Sequence, residues 1–123
     1  KFSSLEINSD DIALAILKMN SGQLVQLKLN YLNQLPERKI IINGENGTIS
    51  VDFIENQYKS YINDNYEEEL IKENRNQLFL NEISDFFDKP KECLLPDLDE
   101  AIYSLKIIDA IRKSSKKLTW TKV

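Results

Sequence analysis

The chain contains no histidine, so the commonest general base and the commonest metal ligand are both missing. Chemistry would have to come from carboxylates, a thiol, aromatic rings or a glycine loop. Gly44 and Gly47, in "INGENGTISVD" (42–52), raise the question of phosphate binding. A phosphate loop sits between a strand and a helix, where the helix N-terminus attracts the anion. Here the glycines lie between two runs rich in β-branched residues. "NGENG" lacks the G-x-G-x-x-G spacing, and no P-loop lysine follows. The spacing therefore predicts a hairpin in which the glycines supply positive φ, with ligand contact as the alternative.

The acidic run Asp64–Glu69 ("DNYEEE") invites a cation, but it lacks the spaced oxygens and the glycine of a calcium loop. A solvated turn or strand end is the simpler reading. Asp97 and Asp99 are a candidate carboxylate pair for acid–base work. Their place at a helix start fits capping better. Cys93 has nothing nearby that marks a nucleophile, and a small packed side chain is the default. Trp120, Tyr31, Tyr58 and Tyr61 could stack a sugar ring, or pack as core and edge aromatics. Taken alone, these residues give no nucleophile–base pair, no metal cluster and no phosphate loop.

The elements that must position them divide cleanly. "DIALAILKM" (11–19) is apolar on both parities, as in a strand covered on both faces. "QLVQLKLNYL" (23–32) alternates, with Val25, Leu27, Leu29 and Tyr31 on one side and Gln26, Lys28 and Asn30 on the other. "RKIIING" (38–44) and "GTISVDFI" (47–54) follow, and "QYKSYI" (57–62) reads as an edge strand. The second half is helical. "NRNQLFLNEISDFFDK" (74–89) puts Phe79, Ile83, Phe86 and Phe87 on one stripe, and Pro90 ends it. "LPDLDEAIYSLKIIDAIRKSS" (95–115) carries Asp97 as N-cap, with Glu100 placed to close a capping box. "LTWTK" (118–122) reads as a final strand.

Strands followed by helices predict an α+β fold: an open, mainly antiparallel β-sheet with two helices packed on one face. The other face would carry Gln26, Lys28, Asn30, Lys39, Asn43, Thr48, Ser50 and Asp52, open to water, a cleft or another protein. Strands 23–32 and 47–54 suit self-association through that face.

Size and composition agree with one domain spanning residues 1–123, 41% hydrophobic and 29% charged. The net charge of −4 disfavours nucleic acid as a partner. No apolar run approaches a membrane span. A lone cysteine fits a reducing compartment, so cytoplasm is the default. The first residue is Lys1 and not Met, which points to a piece of a longer protein, with processing of a short leader as the alternative.

The order of motifs resembles the C-terminal domain of the Gfo/Idh/MocA oxidoreductases. The matching pattern runs through "DDIALAILKMNSGQLVQLKLNYL", "PERKIIINGENGTISVDF", "FLNEISDFFD" and "LPDLDEAIYSLKIIDAIRKSS". The landmarks fall at Asp11, Gly22, Arg38, Gly44, Gly47–Thr48, Asp97–Ala101, Ile108 and Ser114. "LNYLNQLPERK" is similar to members found with sugar-nucleotide and surface-polysaccharide synthesis.

That resemblance implies a dihydrodipicolinate-reductase-like C-terminal fold within a two-domain NAD(P)-dependent enzyme. An N-terminal Rossmann domain would bind the cofactor and carry a Glu-Lys-Pro lysine, and an Asp and His pair would come from an early part of the C-terminal region. The substrate would be a sugar, a polyol or a nucleotide-sugar. The sequence departs from the family in having no glycine fingerprint, no Glu-Lys-Pro and no histidine. No catalytic, cofactor or metal residue can therefore be carried over, and this chain alone is expected neither to bind NAD(P) nor to catalyse. What can carry over is a substrate-cleft or interface set: Gln26, Lys28, Asn30, Tyr31 and Arg38. Arg38 suits an anionic or hydroxyl-rich ligand, or else pairs with a surface carboxylate. The alternative function is a stand-alone, non-catalytic interaction or scaffold module with the same sheet.

Overall fold

β-branched runs broken by Asn, Gly and Asp become antiparallel hairpins. A computed structural model describes residues 2–72, 74–88 and 95–123. β1 (Ile12–Lys18) pairs with β2 (Leu24–Asn30) as a two-stranded sheet, with Leu14 opposite Lys28 and Ile16 opposite Gln26. A four-stranded antiparallel sheet follows, in the order β3 (Lys39–Gly44), β4 (Gly47–Asp52), β5 (Gln57–Ile62) and β6 (Asn65–Leu70). Each connection in it is a tight turn with its own local cause. Gly44 pairs with Gly47 across the two residues Glu45 and Asn46. Between β4 and β5, Asp52 Oδ1 accepts from the Ile54 and Glu55 amides at 3.0 and 3.1 Å, and Asn56 is left-handed at φ 50°. Between β5 and β6, Asn63 and Asp64 are both left-handed, at φ 48° and 64°, as a type I′ hairpin turn requires.

Gly47 is the backbone position that tolerates nothing else. Its φ is +153°, and a Cβ there would run into the carbonyl oxygen of Tyr61 and lie 2.8 Å from the Ile62 Cα. The absence of a side chain lets β4 and β5 close up at the hairpin end.

Two helices complete the chain, α1 (Arg75–Asp88) and α2 (Leu98–Lys117). No glycine or proline interrupts either. Side-chain bonds four residues apart run along α1, from Gln77 Nε2 to Asn81 Oδ1 and from Ser84 Oγ to Asp88 Oδ2, both at 2.8 Å. The Phe86 and Phe87 rings meet edge to face at 5.1 Å. α2 opens on the expected capping box: Asp97 Oδ1 accepts from the Glu100 amide at 2.8 Å, and Glu100 Oε2 accepts from the Asp97 amide at 3.1 Å. Lys116 and Lys117 lie in its last turn, where the helix dipole favours cations. The residues group into two compact units, the strands up to Asn74 and the helices from Arg75 onward.

Open antiparallel sheets and two helices make the chain α+β, as the element order predicts. The expected strand cores at 11–19, 23–32, 38–44 and 47–54 all form, as do both helices. Other expectations need correction. The strands build two sheets instead of one, so Gln26, Lys28 and Asn30 do not share a sheet with Lys39–Asp52. The segment 57–62 is an interior strand, because "NYEEEL" itself pairs along it as β6 and takes the edge. β1 is not covered on both faces: Leu14 and Ile16 are exposed while Ala13, Ala15 and Leu17 are half-buried. Of the pair 44 and 47, Gly44 lies in regular strand and Gly47 alone has positive φ; the left-handed residues in the other turns of this sheet are Asn56, Asn63 and Asp64. Residues 118–122 form no strand. α2 runs on to Lys117, Leu118 turns left-handed at φ 53°, and Ser114 Oγ donates to the Thr119 carbonyl at 2.7 Å, tying the chain back to the helix end. The expectations at Cys93 and Pro90 lie outside the described residues.

Candidate functional surface

Antiparallel register decides which side chains share a face. On the four-stranded sheet one face carries Ile40, Ile42, Ile49, Val51, Tyr58 and Ile62, with Ser60, Glu67 and Glu69 toward β6. The opposite face carries Lys39, Ile41, Asn43, Thr48, Ser50 and Asp52 from β3 and β4, and Gln57, Lys59, Tyr61, Tyr66, Glu68 and Leu70 from β5 and β6. This second face is largely polar, with Ile41 and Leu70 as its exposed aliphatic members. Lys39 Nζ lies 3.0 Å from Asp52 Oδ2, directly across the strand pair. Thr48 Oγ1 donates to Asn43 Oδ1 at 2.9 Å.

Glu68 is the hub of that face. Its Oε1 accepts from Gln57 Nε2 at 2.6 Å and lies 3.5 Å from Lys59 Nζ, and its Oε2 accepts from the Tyr66 hydroxyl at 2.7 Å. The Tyr66 bond, with Lys59 behind it, holds the Glu68 carboxyl below its ordinary range. The same bond raises the Tyr66 phenol, because a phenol that donates to a carboxylate resists losing its proton. Asp52 is lowered too, first by the Glu55 amide and then by Lys39. Tyr61, directly opposite Tyr66, donates its hydroxyl to Asp64 Oδ1 at 2.9 Å. Two phenol rings and a lattice of donors and acceptors stand side by side here. They can hydrogen-bond and stack. Among the described residues no cluster of His, Cys, Asp and Glu is placed to hold a metal ion.

The residues expected to line a cleft or interface fall in separate places. Gln26, Lys28 and Asn30 share a face of the β1–β2 hairpin, but Ile12, Leu14 and Ile16 stand opposite them, so that face is mixed and not polar. Lys28 Nζ pairs with Glu37 Oε2 at 3.3 Å, and Asn33 Nδ2 reaches the same oxygen at 3.3 Å, tying the strand to the loop after it. Asn30 Oδ1 accepts from the Leu32 amide at 2.8 Å and fixes the start of that loop. Tyr31 lies just past β2, its amide donating to the Asp11 carbonyl and its ring 71% exposed. The Arg38 guanidinium lies 5.2 Å over the Phe53 ring, with no carboxylate paired to it among the described residues. Of the aromatics considered for sugar stacking, Tyr58 and Tyr61 sit on opposite sheet faces.

Two features escape a reading of spacing. The Glu68 hub spans β5 and β6, and the alternation of Gln57, Lys59 and Tyr61 with Tyr66 and Glu68 is its only sequence signal. The other is Asp11, 1% exposed. Its two carboxylate oxygens accept from the Phe2 amide, both at 2.9 Å, and Oδ2 also takes the Ser3 amide at 2.7 Å and the Ser3 hydroxyl at 2.6 Å. These bonds, led by the Ser3 hydroxyl, hold the carboxyl far below its ordinary range. Parity is the signal that separates it from Asp10: Asp11 precedes Ala13, Ala15 and Leu17, the half-buried side of β1.

Residues 3–123 match the family model described as an oxidoreductase family, C-terminal alpha/beta domain. No curated protein gives a significant match, and no solved structure does.

Proposed function

Because the chain belongs to the Gfo/Idh/MocA oxidoreductase family, as its C-terminal domain, we propose that it is the substrate-side and oligomerisation domain of an NAD(P)-dependent enzyme acting on a sugar, polyol or nucleotide-sugar. The family match over residues 3–123 carries this reading. The cofactor would be held by an N-terminal Rossmann domain, which would also supply the catalytic lysine. This chain's share is recognition. A sheet face of paired phenols, amides and cross-strand ion pairs suits a ligand with many hydroxyls, which needs donors and acceptors in quantity. Lys28, Asn30 and Tyr31, with the loop they order, and Gln26 beside them, would contribute to the cleft or to a subunit interface. Arg38, its guanidinium over the Phe53 ring, is the residue for an anionic group. Oligomers would form through the open sheet face in the cytoplasm.

The test is turnover. The full-length gene product is assayed with NADH and NADPH against sugars, polyols and nucleotide-sugars, following the nicotinamide absorbance. Cofactor oxidation with at least one of them is expected. Arg38→Ala should then raise KM more than it lowers kcat. A full-length product that binds neither cofactor would overturn the reading and favour a scaffold role. The isolated chain should give no saturable quenching of NADH fluorescence. Light scattering on the full-length protein should give a dimer or larger.

A further inference from the structure

The chain carries Asn-Gly twice within five residues, at 43–44 and 46–47. This is the dipeptide in which an asparagine side chain most readily closes on the next backbone nitrogen, since glycine puts no side chain in the way. The fold gives the two copies different surroundings. From this contrast we infer that Asn46 is a site of spontaneous deamidation in the folded protein, that Asn43 is protected, and that conversion at Asn46 breaks the register of the β3–β5 ladder.

Ring closure requires rotation about the Asn Cα–C bond until the next nitrogen reaches Cγ. Asn43 lies in extended backbone, paired with Thr48, and its side-chain oxygen accepts from Thr48 Oγ1 at 2.9 Å. It can rotate only by opening the ladder around it. Asn46 is in the two-residue turn, outside the strands and exposed, where rotation disturbs the bond from the Asn63 amide to the Asn46 carbonyl at 2.9 Å and the end of the ladder at Gly47, but no pairing of residue 46 itself. In the reaction the Gly47 nitrogen gives its proton to solvent base and attacks Asn46 Cγ. The new C–N bond closes a five-membered imide, and the side-chain nitrogen leaves as ammonia. Water then opens either imide carbonyl, leaving aspartate or, with the backbone rerouted through Cγ, isoaspartate.

The second product cannot be absorbed here. It lengthens the chain by one carbon between residues 46 and 47. Gly47 has little room to shift toward β5, because the Tyr61 carbonyl and the Ile62 Cα already occupy the space where its side chain would stand. The added carbon must displace the Asn46 carbonyl from Asn63, so the damage passes from the β3–β4 turn to the β5–β6 turn.

The experiment incubates the folded chain, and the same chain in denaturant, at mildly alkaline pH, and sequences the peptides by mass spectrometry. In the folded chain Asn46 should convert several-fold faster than Asn43, and in denaturant the two rates should converge. Equal rates in the fold, a faster Asn43, or no conversion at Asn46 while the denatured chain converts would each overturn the proposal. Asn46→Gln, which would have to close a six-membered ring, should abolish ammonia loss at the turn while leaving the fold unchanged. In the isoaspartate fraction the Asn63 amide should lose its protection from hydrogen exchange. Unchanged protection would refute the claimed break in register.

Discussion

The carbonyl oxygen of Tyr61 fills the space that a side chain on Gly47 would need. Gly47→Ala should destabilise the strand unit by about 2 kcal/mol or more, since a backbone must move and a glycine-only φ is forced on alanine. Gly44→Ala is the control: its φ is not positive, and its new Cβ would stand 3.9 Å from the nearest atom, the Gly47 carbonyl oxygen. Urea unfolding followed by circular dichroism should show a loss for the first and little change for the second.

Asp11 should make the N-terminal segment acid-sensitive. Its folded carboxyl is depressed relative to the unfolded chain, so the unfolded state binds more protons at low pH. The bonds to Phe2 and Ser3 are therefore fully present above the ordinary carboxylate range and lost as the pH falls well below about 4. The Ser3 amide should be protected, relative to its intrinsic exchange rate, at neutral pH and should lose that protection in strong acid. Asp11→Asn should be unprotected throughout, and the two proteins should converge at the acid end. A protected Ser3 amide in Asp11→Asn would contradict this.

Tyr66 should titrate above the ordinary phenol range, because its hydroxyl donates to Glu68. Glu68→Gln removes the negative partner and should bring the phenol down toward its ordinary value. Ultraviolet titration of the phenolate should show a component above the ordinary range that this variant loses. Retention of that component would assign it to another ring.

Asp97→Ala removes one half of the α2 capping box and leaves the Glu100 amide without its acceptor. The expected cost is about 1 kcal/mol of helix stability, felt in the helical unit and not in the strands. Thermal melting by far-ultraviolet circular dichroism should show the shift, and Asp97→Ser should recover most of it.

What was legible in the sequence was what depends on neighbours in the chain. The 97–100 capping box, the alternation in 24–30 and 47–52, and the apolar stripe in 75–88 all follow from local spacing, and they formed as expected. Strand partnership did not follow. An alternating strand shows which residues share a side and not which strand lies beside it, so the division into two sheets was invisible. The acidic stretch 65–70 looked like a solvated turn because charge dominates its composition, yet Tyr66 and Leu70 alternate with its carboxylates well enough for pairing with β5. Residues 118–122 have strand-forming side chains, but a helix already running to Lys117 and a hydroxyl bond back to Ser114 hold them near the helix end. The polar face is half legible: parity gives its β3 and β4 members, and Glu68 is hidden with the strand that carries it.

The acidic β6 also bears on how the protein behaves in crowded solution. Among the described residues β6 has a strand on one side only, with Glu67 and Glu69 on one face and Glu68 on the other. A second β6 laid alongside would set like charges against like, so ribbons cannot grow through this border at neutral pH. Acid would remove that repulsion while leaving the backbone groups free to pair. The same row of carboxylates that looked like an idle solvated run thus acts as a fence against fibre formation, and storage at low pH would take it down.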